Sequence, residues 1–318
     1  MRLSDIEIDP QKPVLVIGAA GLDIVGKLSS EPILGSSTPA EVRPSFGGVA
    51  RNVAENLGRL GQPVTLITAI GQDDFGLQML KYTSSAGVNT DDSLISEKHH
   101  TASYLAILDA SGRLQYALED MQILTALNSS YIRQKEELFH NSSIIFIDAN
   151  LEEKSLKTVF QLAHKAHVPV CTDSTSINLA KKLIPYLPKL SVLTANTVEA
   201  EVLTQNLFHV SNQTDALQAA RYCITKGVDI AVITISGIGV CYASSETNGF
   251  IPAIHTPVLD PTGGGAALTA TLLYGLLNEM DLDDAVRLGM SAASLTLRFI
   301  GTVVPDLSLE KLYDQLVI

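Results

Sequence analysis

Three cysteines, Cys171, Cys223 and Cys241, are all that the 318 residues supply, and they are scattered. They are too few for a disulfide framework, and their spacing fits no zinc site. Each lies in an apolar segment and is expected to be a buried thiol. Basic residues are scarce as well. Lys and Arg number 22 against 34 Asp and Glu, a net charge of −12. This speaks against nucleic-acid binding, where a positive surface must displace counterions. A phosphorylated small molecule stays within reach, because backbone amides bind anions without basic side chains. No apolar run attains membrane-spanning length without polar interruption. The N-terminal MRLSDIEIDPQKP has no apolar signal core, so no membrane partner and a cytoplasmic location are expected. Repeats, low-complexity tracts and linkers are missing too. With 46% apolar and 18% charged residues, the composition is that of a globular protein, read as a single domain over 1–318.

Short β-branched runs are what the chain does have: VLVIG (14–18), VTLITAI (64–70), IIFID (144–148), VPVCTD (168–173), LSVLTAN (190–196) and IAVITIS (230–236). Helical patterns at 48–60, 75–86, 153–166, 176–184, 198–206 and 213–226 lie between them. Strands apolar on both faces, alternating with helices, predict an α/β fold with a mostly parallel sheet between helical layers. Two consecutive helices are predicted over 265–280 and 282–299. Segments 22–45 and 101–120 alternate polar and apolar residues instead, with a turn at 110–112. They predict a small antiparallel sheet standing apart.

Four motifs can carry chemistry. In SFGGVARNVAENLGRLG (45–61), Gly47 and Gly48 open a helix, where paired glycines let a ligand approach free amides. Asn52, one turn in, adds a donor and an acceptor. In LDPTGGGAALTA (259–270), Gly263, Gly264 and Gly265 run into an apolar helix, as an anion hole at a helix start requires. Asp260 and Thr262 precede it. In NTVEAE (196–201), Asn196 and Glu199 stand three apart after a strand, placed to hold hydrated Mg²⁺ or simply to begin a helix. In TISGIG (234–239) a strand ends in a glycine loop of the kind that lies against nucleotides and also of the kind that merely ends strands. Asp23 and Asp148 lie near strand C-termini, where α/β sheets bind ligands.

In order, spacing and wording these motifs resemble the ribokinase-like (PfkB) carbohydrate kinases, from Val14 to the TVVPDLS segment at 302–308. Within that family GGVARNVAENLGRLG, SYLAILD, ALEDM and SAASLTL are most similar to the pseudouridine kinases. The resemblance implies a three-layer ribokinase-like sandwich whose 22–45 and 101–120 segments form a β-sheet lid. It implies transfer of the ATP γ-phosphate to the C5 hydroxyl of a ribose-containing substrate, with ATP and Mg²⁺ required and a homodimer formed through the lid. Asp23, Gly47, Gly48 and Asn52 match sugar-binding positions, and Asp148 and Asn150 another sugar contact. Asn196, Thr234, Ser236, Gly237 and Gly239 match the nucleotide site, with Glu199 serving Mg²⁺ through water. Ser236 stands where the family has Gly. Gly263, Gly264 and Gly265 match the anion hole, and Asp260 and Thr262 a monovalent cation site, for K⁺, beneath it.

One position departs. The family motif ends in the Asp that serves as general base, and here that position is Ala266. The chain is therefore read as an inactivated form of a working kinase, since the other ligand motifs are intact. A natural pseudokinase, another sugar or nucleoside kinase and a non-catalytic nucleoside-binding protein are the rivals. A dinucleotide-binding oxidoreductase fits poorly, because GAAGLD (18–23) lacks the G-x-G-x-x-G spacing.

Overall fold

The computed structural model describes residues 9–33 and 35–316. Residues 1–8 of the polar N-terminal segment, Leu34 within the expected lid segment, and residues 317–318 lie outside them. The chain begins with β1 (Val14–Ile17), β2 (Gly21–Leu28), β3 (Ala40–Gly47) and α1 (Val49–Arg59). It continues through β4 (Val64–Ile67), β5 (Ala69–Gly71), α2 (Asp74–Ser85), β6 (Val88–Asn89), β7 (Leu94–Ser96), β8 (Ala102–Leu108) and β9 (Leu114–Asp120). Then come α3 (Ser129–Gln134), α4 (Glu136–His140), β10 (Ile144–Asp148), α5 (Glu153–Ala166), β11 (Val170–Asp173), α6 (Ile177–Ala180), β12 (Val192–Asn196), α7 (Thr197–Leu203) and α8 (Gln213–Thr225). The last elements are β13 (Ile230–Ile235), β14 (Gly239–Ser244), β15 (Asn248–Pro252), α9 (Gly264–Leu277), α10 (Leu282–Leu297) and α11 (Leu309–Leu316).

Nine strands form the main sheet in the order β15-β14-β13-β12-β11-β10-β1-β4-β6, parallel except that β14 runs antiparallel to both its neighbours, β13 and β15. Its strands are apolar on both faces because both are covered. Val14, Val16, Phe146, Val192 and Val232 meet α1, α9 and α10, while Leu15, Ile17, Ile147, Leu193 and Ile233 meet α5 and α8. Each of the three cysteines is a buried free thiol. Among the described residues no helix is long and apolar enough to cross a membrane.

Three expectations are corrected. The lid sheet, ordered β3-β2-β8-β9, is mixed: its outer pairs are antiparallel but β2 and β8 run parallel. Both strands leave the same end of the main sheet, so they run in one direction, each with its hairpin partner outside. The run 64–70 is two strands, β4 in the main sheet and β5 paired with β7. The helix expected over 176–184 is one turn of α6 followed by a 3-10 stretch containing Pro185 and Pro188, which lack the N–H that a longer α-helix needs.

Asp148 closes the top of the sheet. It has no exposed surface. Oδ2 accepts from the amides of Ala19 at 2.8 Å and Ala50 at 3.2 Å, and Oδ1 from that of Asn150 at 3.0 Å. A side chain at Gly18 would strike this carboxylate. Asp148, expected from the resemblance to contact sugar, thus holds backbone together here, with half-buried Asn150 beside it. Asp148→Ala leaves three amides without an acceptor and is expected to cost at least about 3 kcal/mol. Urea unfolding reads this as a lowered midpoint at unchanged slope; an unchanged midpoint would show that water serves these amides equally well.

Candidate active site

Asp23 lies on the lid strand β2 with its carboxylate against Gly47, where a Cβ would overlap it. It accepts no hydrogen bond from any group among the described residues. Burial raises its pKa to about 6, the Arg51 charge opposing and that of Asp260 adding to the shift. Gly48 takes φ 93°, and a Cβ there would meet the Ala19 carbonyl. The amides expected to be free for a ligand are partly used: Ala50 donates to Asp148 and Arg51 to the Ala19 carbonyl, the latter at 3.2 Å. The glycine pair therefore also serves close approach of the chain to itself.

Arg51, absent from the sequence reading, organises this corner. Its buried guanidinium donates to the carbonyls of Phe46 at 2.8 Å and Gly47 at 2.9 Å and to the hydroxyl of Thr302 at 2.7 Å. It also donates to Asn52 Oδ1 and pairs with Glu55, which in turn pairs with Arg59. The acceptor of Asn52 is therefore taken and its Nδ2 is the group left for a ligand.

Thr302 connects this corner to the glycine turn, since its carbonyl fills the space where a Cβ on Gly263 would project. The three glycines differ in why they are glycine. Gly263 caps α9 at φ 79° in the left-handed region, and Gly264 packs on Leu297. Gly265 is exposed, has no left-handed φ, and nothing lies within 4 Å of its would-be Cβ. The fold makes no demand for glycine there, so the open space at the first turn of α9 is what an approaching anion would use. Asp260 holds the turn: Oδ1 accepts from the Thr262 amide at 2.9 Å and hydroxyl at 2.6 Å, and Oδ2 from the Gly301 amide at 3.3 Å. Ala266 follows, buried in the first turn of α9.

Asn196 and Glu199 begin α7 as a reciprocal capping box, each side chain bonding the other's amide at 3.0 Å. Glu199 Oε2 also accepts from the Ser174 hydroxyl at 2.6 Å. Asp173, the last residue of β11, stands beside them; burial first and then Glu199 push its carboxyl up to about 7. Its Oδ2 accepts from Thr194, whose hydroxyl lies 2.8 Å from that of Thr269, one turn below Ala266 on α9. Asn196 pairs in register with Thr234, beyond which Ser236 and Gly237 lie in the exposed β13–β14 turn. Gly239 is buried at φ 149°, required where β14 meets the Ile251 carbonyl, so it shapes the hairpin. No cluster of three or more metal-type ligands is found among the described residues.

The pfkB family carbohydrate kinase model matches residues 11–308. The chain belongs to this family. It is 32% identical over 297 residues to the pseudouridine kinase of Escherichia coli strain K12, covering 93% of this chain and 94% of that protein. It is 26% identical over 283 residues to the guanosine-inosine kinase of Exiguobacterium acetylicum, covering 88% of this chain and 93% of that protein. The Arabidopsis thaliana ribokinase structure complexed with ribose and ATP superposes with a TM-score of 0.85 over 96% of this chain and 99% of that one, at 20% identity. The ribokinase-like sandwich with its lid is therefore the fold.

Of the residues singled out from sequence, the structure gathers Asp23, Gly47, Gly48, Asn52, Asp260 and Gly263 around Arg51 and Thr302. It gathers Asn196, Glu199 and Thr234 around Asp173 and Ser174. Arg51 stood inside the GGVARN motif, and Asp173 ended a recognised strand, but nothing local marks the side chain each would meet.

The raised carboxyl of Asp23 makes a stability forecast. Its native pKa lies above the unfolded value, so its destabilising effect is absent below about pH 4, grows as pH rises through about 6, and is complete at neutral pH. Asp23→Asn is expected to raise stability at pH 7.5 by on the order of 2 kcal/mol, with the gap to the parent chain closing toward pH 4. Thermal melts across that range measure it; a gap independent of pH would show that the carboxyl is not the cause.

Proposed function

We propose that this chain is a nucleoside-binding kinase framework that transfers the ATP γ-phosphate to the C5 hydroxyl of a ribose unit, with pseudouridine as the preferred substrate. The observation that carries the reading is the convergence of an unpaired, proton-hungry Asp23 with the open glycine turn of α9 across the Arg51–Thr302 contact. A carboxylate that lacks a partner suits sugar hydroxyls, and amides at a helix start suit transferring phosphates. The 32% identity to a pseudouridine kinase over nearly the whole chain supports the substrate assignment.

In this scheme Asp23 and the Asn52 amide group orient the ribose, and the first turn of α9 faces the charge that develops on the transferring phosphoryl group. Asn196, Thr234, Ser236 and Gly237 line the nucleotide side. Burial first and then the neighbouring Glu199 raise the Asp173 carboxyl to about 7, and two carboxylates set this close fit a divalent cation held near them through water. When bound, Mg²⁺ supplies charge neutralisation at the phosphates. Asp260 and Thr262, locked in their own turn, are the positions for K⁺.

Position 266 sets the rate. Alanine accepts no proton, and loss of a positioned base costs about 10²–10⁴-fold, so slow turnover with intact binding is expected. A second reading, a nucleoside-binding protein without turnover, is favoured by the same residue. Ala266→Asp separates them: nucleoside-dependent ADP formation should rise by at least about two orders of magnitude. A variant that binds nucleoside and Mg-ATP yet stays inactive on a broad nucleoside panel leaves the binding-protein reading.

The outer face of the lid supports a homodimer. Val42, Tyr116 and Leu118 are 61%, 64% and 60% exposed, and the register sets Tyr116 and Leu118 beside Ile107 and Leu105 on that face. An apolar sheet face of this kind suits an interface, and a second copy offers the same surface. Sedimentation is expected to give a dimer at micromolar concentration, and the double variant Tyr116→Glu, Leu118→Glu a monomer with an unchanged thermal midpoint. A monomeric parent chain would refute the assignment.

A further inference from the structure

A cavity of about 340 Å³ opens at the other end of the main sheet from the candidate active site. β11 runs from Val170 at this cavity to Asp173 at the site, and Ser191 in the cavity immediately precedes β12, which ends at Asn196. Three residue steps of about 3.3 Å put roughly 10 Å of strand between the two places. The helical cover is short here. α5 stops at His167, which takes a left-handed φ of 57°. The crossover from β11 to β12 is one turn of α6 and a 3-10 stretch in place of a full helix. Phe160, Val168, Pro169 and Pro188 supply apolar walls. Phe160 is stacked on Tyr186, with ring centroids 4.3 Å apart and planes 6° apart, so its ring is not free to swing in and fill the space.

The polar groups of the cavity are donors. Ser191 is 2% exposed, and its hydroxyl has no hydrogen-bond partner among the described residues. The little surface it keeps opens on the cavity. A hydroxyl at this depth loses stability unless an acceptor completes it. Leu190 is extended at φ −93° and ψ 131°, so Lys189 and Ser191 on either side of it point the same way. The Lys189 ammonium lies 5.9 Å from the centre of the Tyr186 ring and has no acidic partner among the described residues. His164, on the last turn of α5, stands at the exposed rim. No Asp or Glu lines the cavity, in a chain of net charge −12. Local charge and not the total decides what a site attracts, and hydroxyl, ammonium and imidazole groups all donate to an oxyanion. The fitting ligand therefore buries an apolar body and presents one anionic group, and a flat ring suits walls made by two prolines and a phenylalanine. We propose that this cavity is a second ligand site, for a small aromatic carboxylate whose ring lies against Phe160 and the prolines and whose carboxylate meets Ser191 and Lys189. The inference does not depend on the kinase reading, because none of these residues belongs to the candidate active site.

Calorimetry of the full chain with indole-3-acetate, indole-3-acetamide and acetate tests this. Indole-3-acetate is expected to bind saturably, at least about 10-fold more tightly than the uncharged acetamide, the charge-assisted bonds being the difference. Acetate, which has no ring to bury, should show no saturable binding. A saturating non-hydrolysable Mg-ATP analogue should leave the affinity for indole-3-acetate within about twofold, as expected of uncoupled sites. Lys189→Ala should lower indole-3-acetate affinity about 10-fold and leave the acetamide within about twofold, and Lys189→Glu should lower it further. Ser191→Ala should weaken both indole ligands about fivefold, since either oxygen accepts from the hydroxyl. Ala163→Phe, which fills the cavity from α5, should abolish binding. Lys189 is exposed, so its variants decide the question even where Ala163→Phe lowers the thermal midpoint. The inference is overturned by a lack of saturable indole-3-acetate binding, by equal affinity for the acetamide, or by affinity that Lys189→Ala and Ser191→Ala do not move. Displacement of indole-3-acetate by the Mg-ATP analogue would put the probe in the cleft, overturning the second site and leaving the kinase reading intact.

Discussion

The buried carboxylate of Asp148 ties together three pieces of backbone that sequence keeps far apart. Its oxygens accept amides from the β1–β2 turn, from the first turn of α1 and from the segment after β10. A carboxylate with no exposed surface survives only where donors repay its desolvation, and here three main-chain amides do so, with the Asn150 side chain adding to them. The lid strand β2 and helix α1 consequently leave the sheet from fixed points, and Asp23 on the one and Arg51 and Asn52 on the other inherit their places from them. Gly18 is part of the same arrangement, because any side chain there would displace the carboxylate.

A second set of contacts carries that order from the lid to the glycine turn. Arg51 gathers the end of β3 and Thr302, while the carbonyl of Thr302 backs Gly263. Glu55 and Arg59 extend the ion pairs along α1 to the carbonyl of Pro305 and the ring of Tyr82. The guanidinium is satisfied on every side, so its positive charge is held rigidly beside Asp23 and moderates the rise in that carboxyl's pKa. The lid corner and the glycine turn of α9 thus share one buried cation as their common reference. The acid pair of Asp173 and Glu199 is joined to the same helix α9 through Thr194 and Thr269.

The glycine triplet shows how one motif divides its work. Backbone conformation dictates Gly263, packing dictates Gly264, and Gly265 faces open space where the fold itself makes no demand for glycine. Ala266, next in line, breaks the pattern of the family without disturbing the turn.

Sequence by itself determined the layers, the strand runs and the positions of the motifs. Hydrophobic alternation and glycine placement are local properties, and β-branched runs covered on both faces have few other homes. It also determined that position 266 holds no base. Tertiary structure decided which residues meet. The parallel pairing of β2 with β8 follows from where both strands leave the main sheet, and the break at Thr68 from a second sheet that begins there. Asp148 carries the same chemistry as Asp23, yet the fold seals the first under backbone amides and leaves the second without a partner. The difference lies in the donors that arrive from distant segments, and no local pattern encodes the arrival.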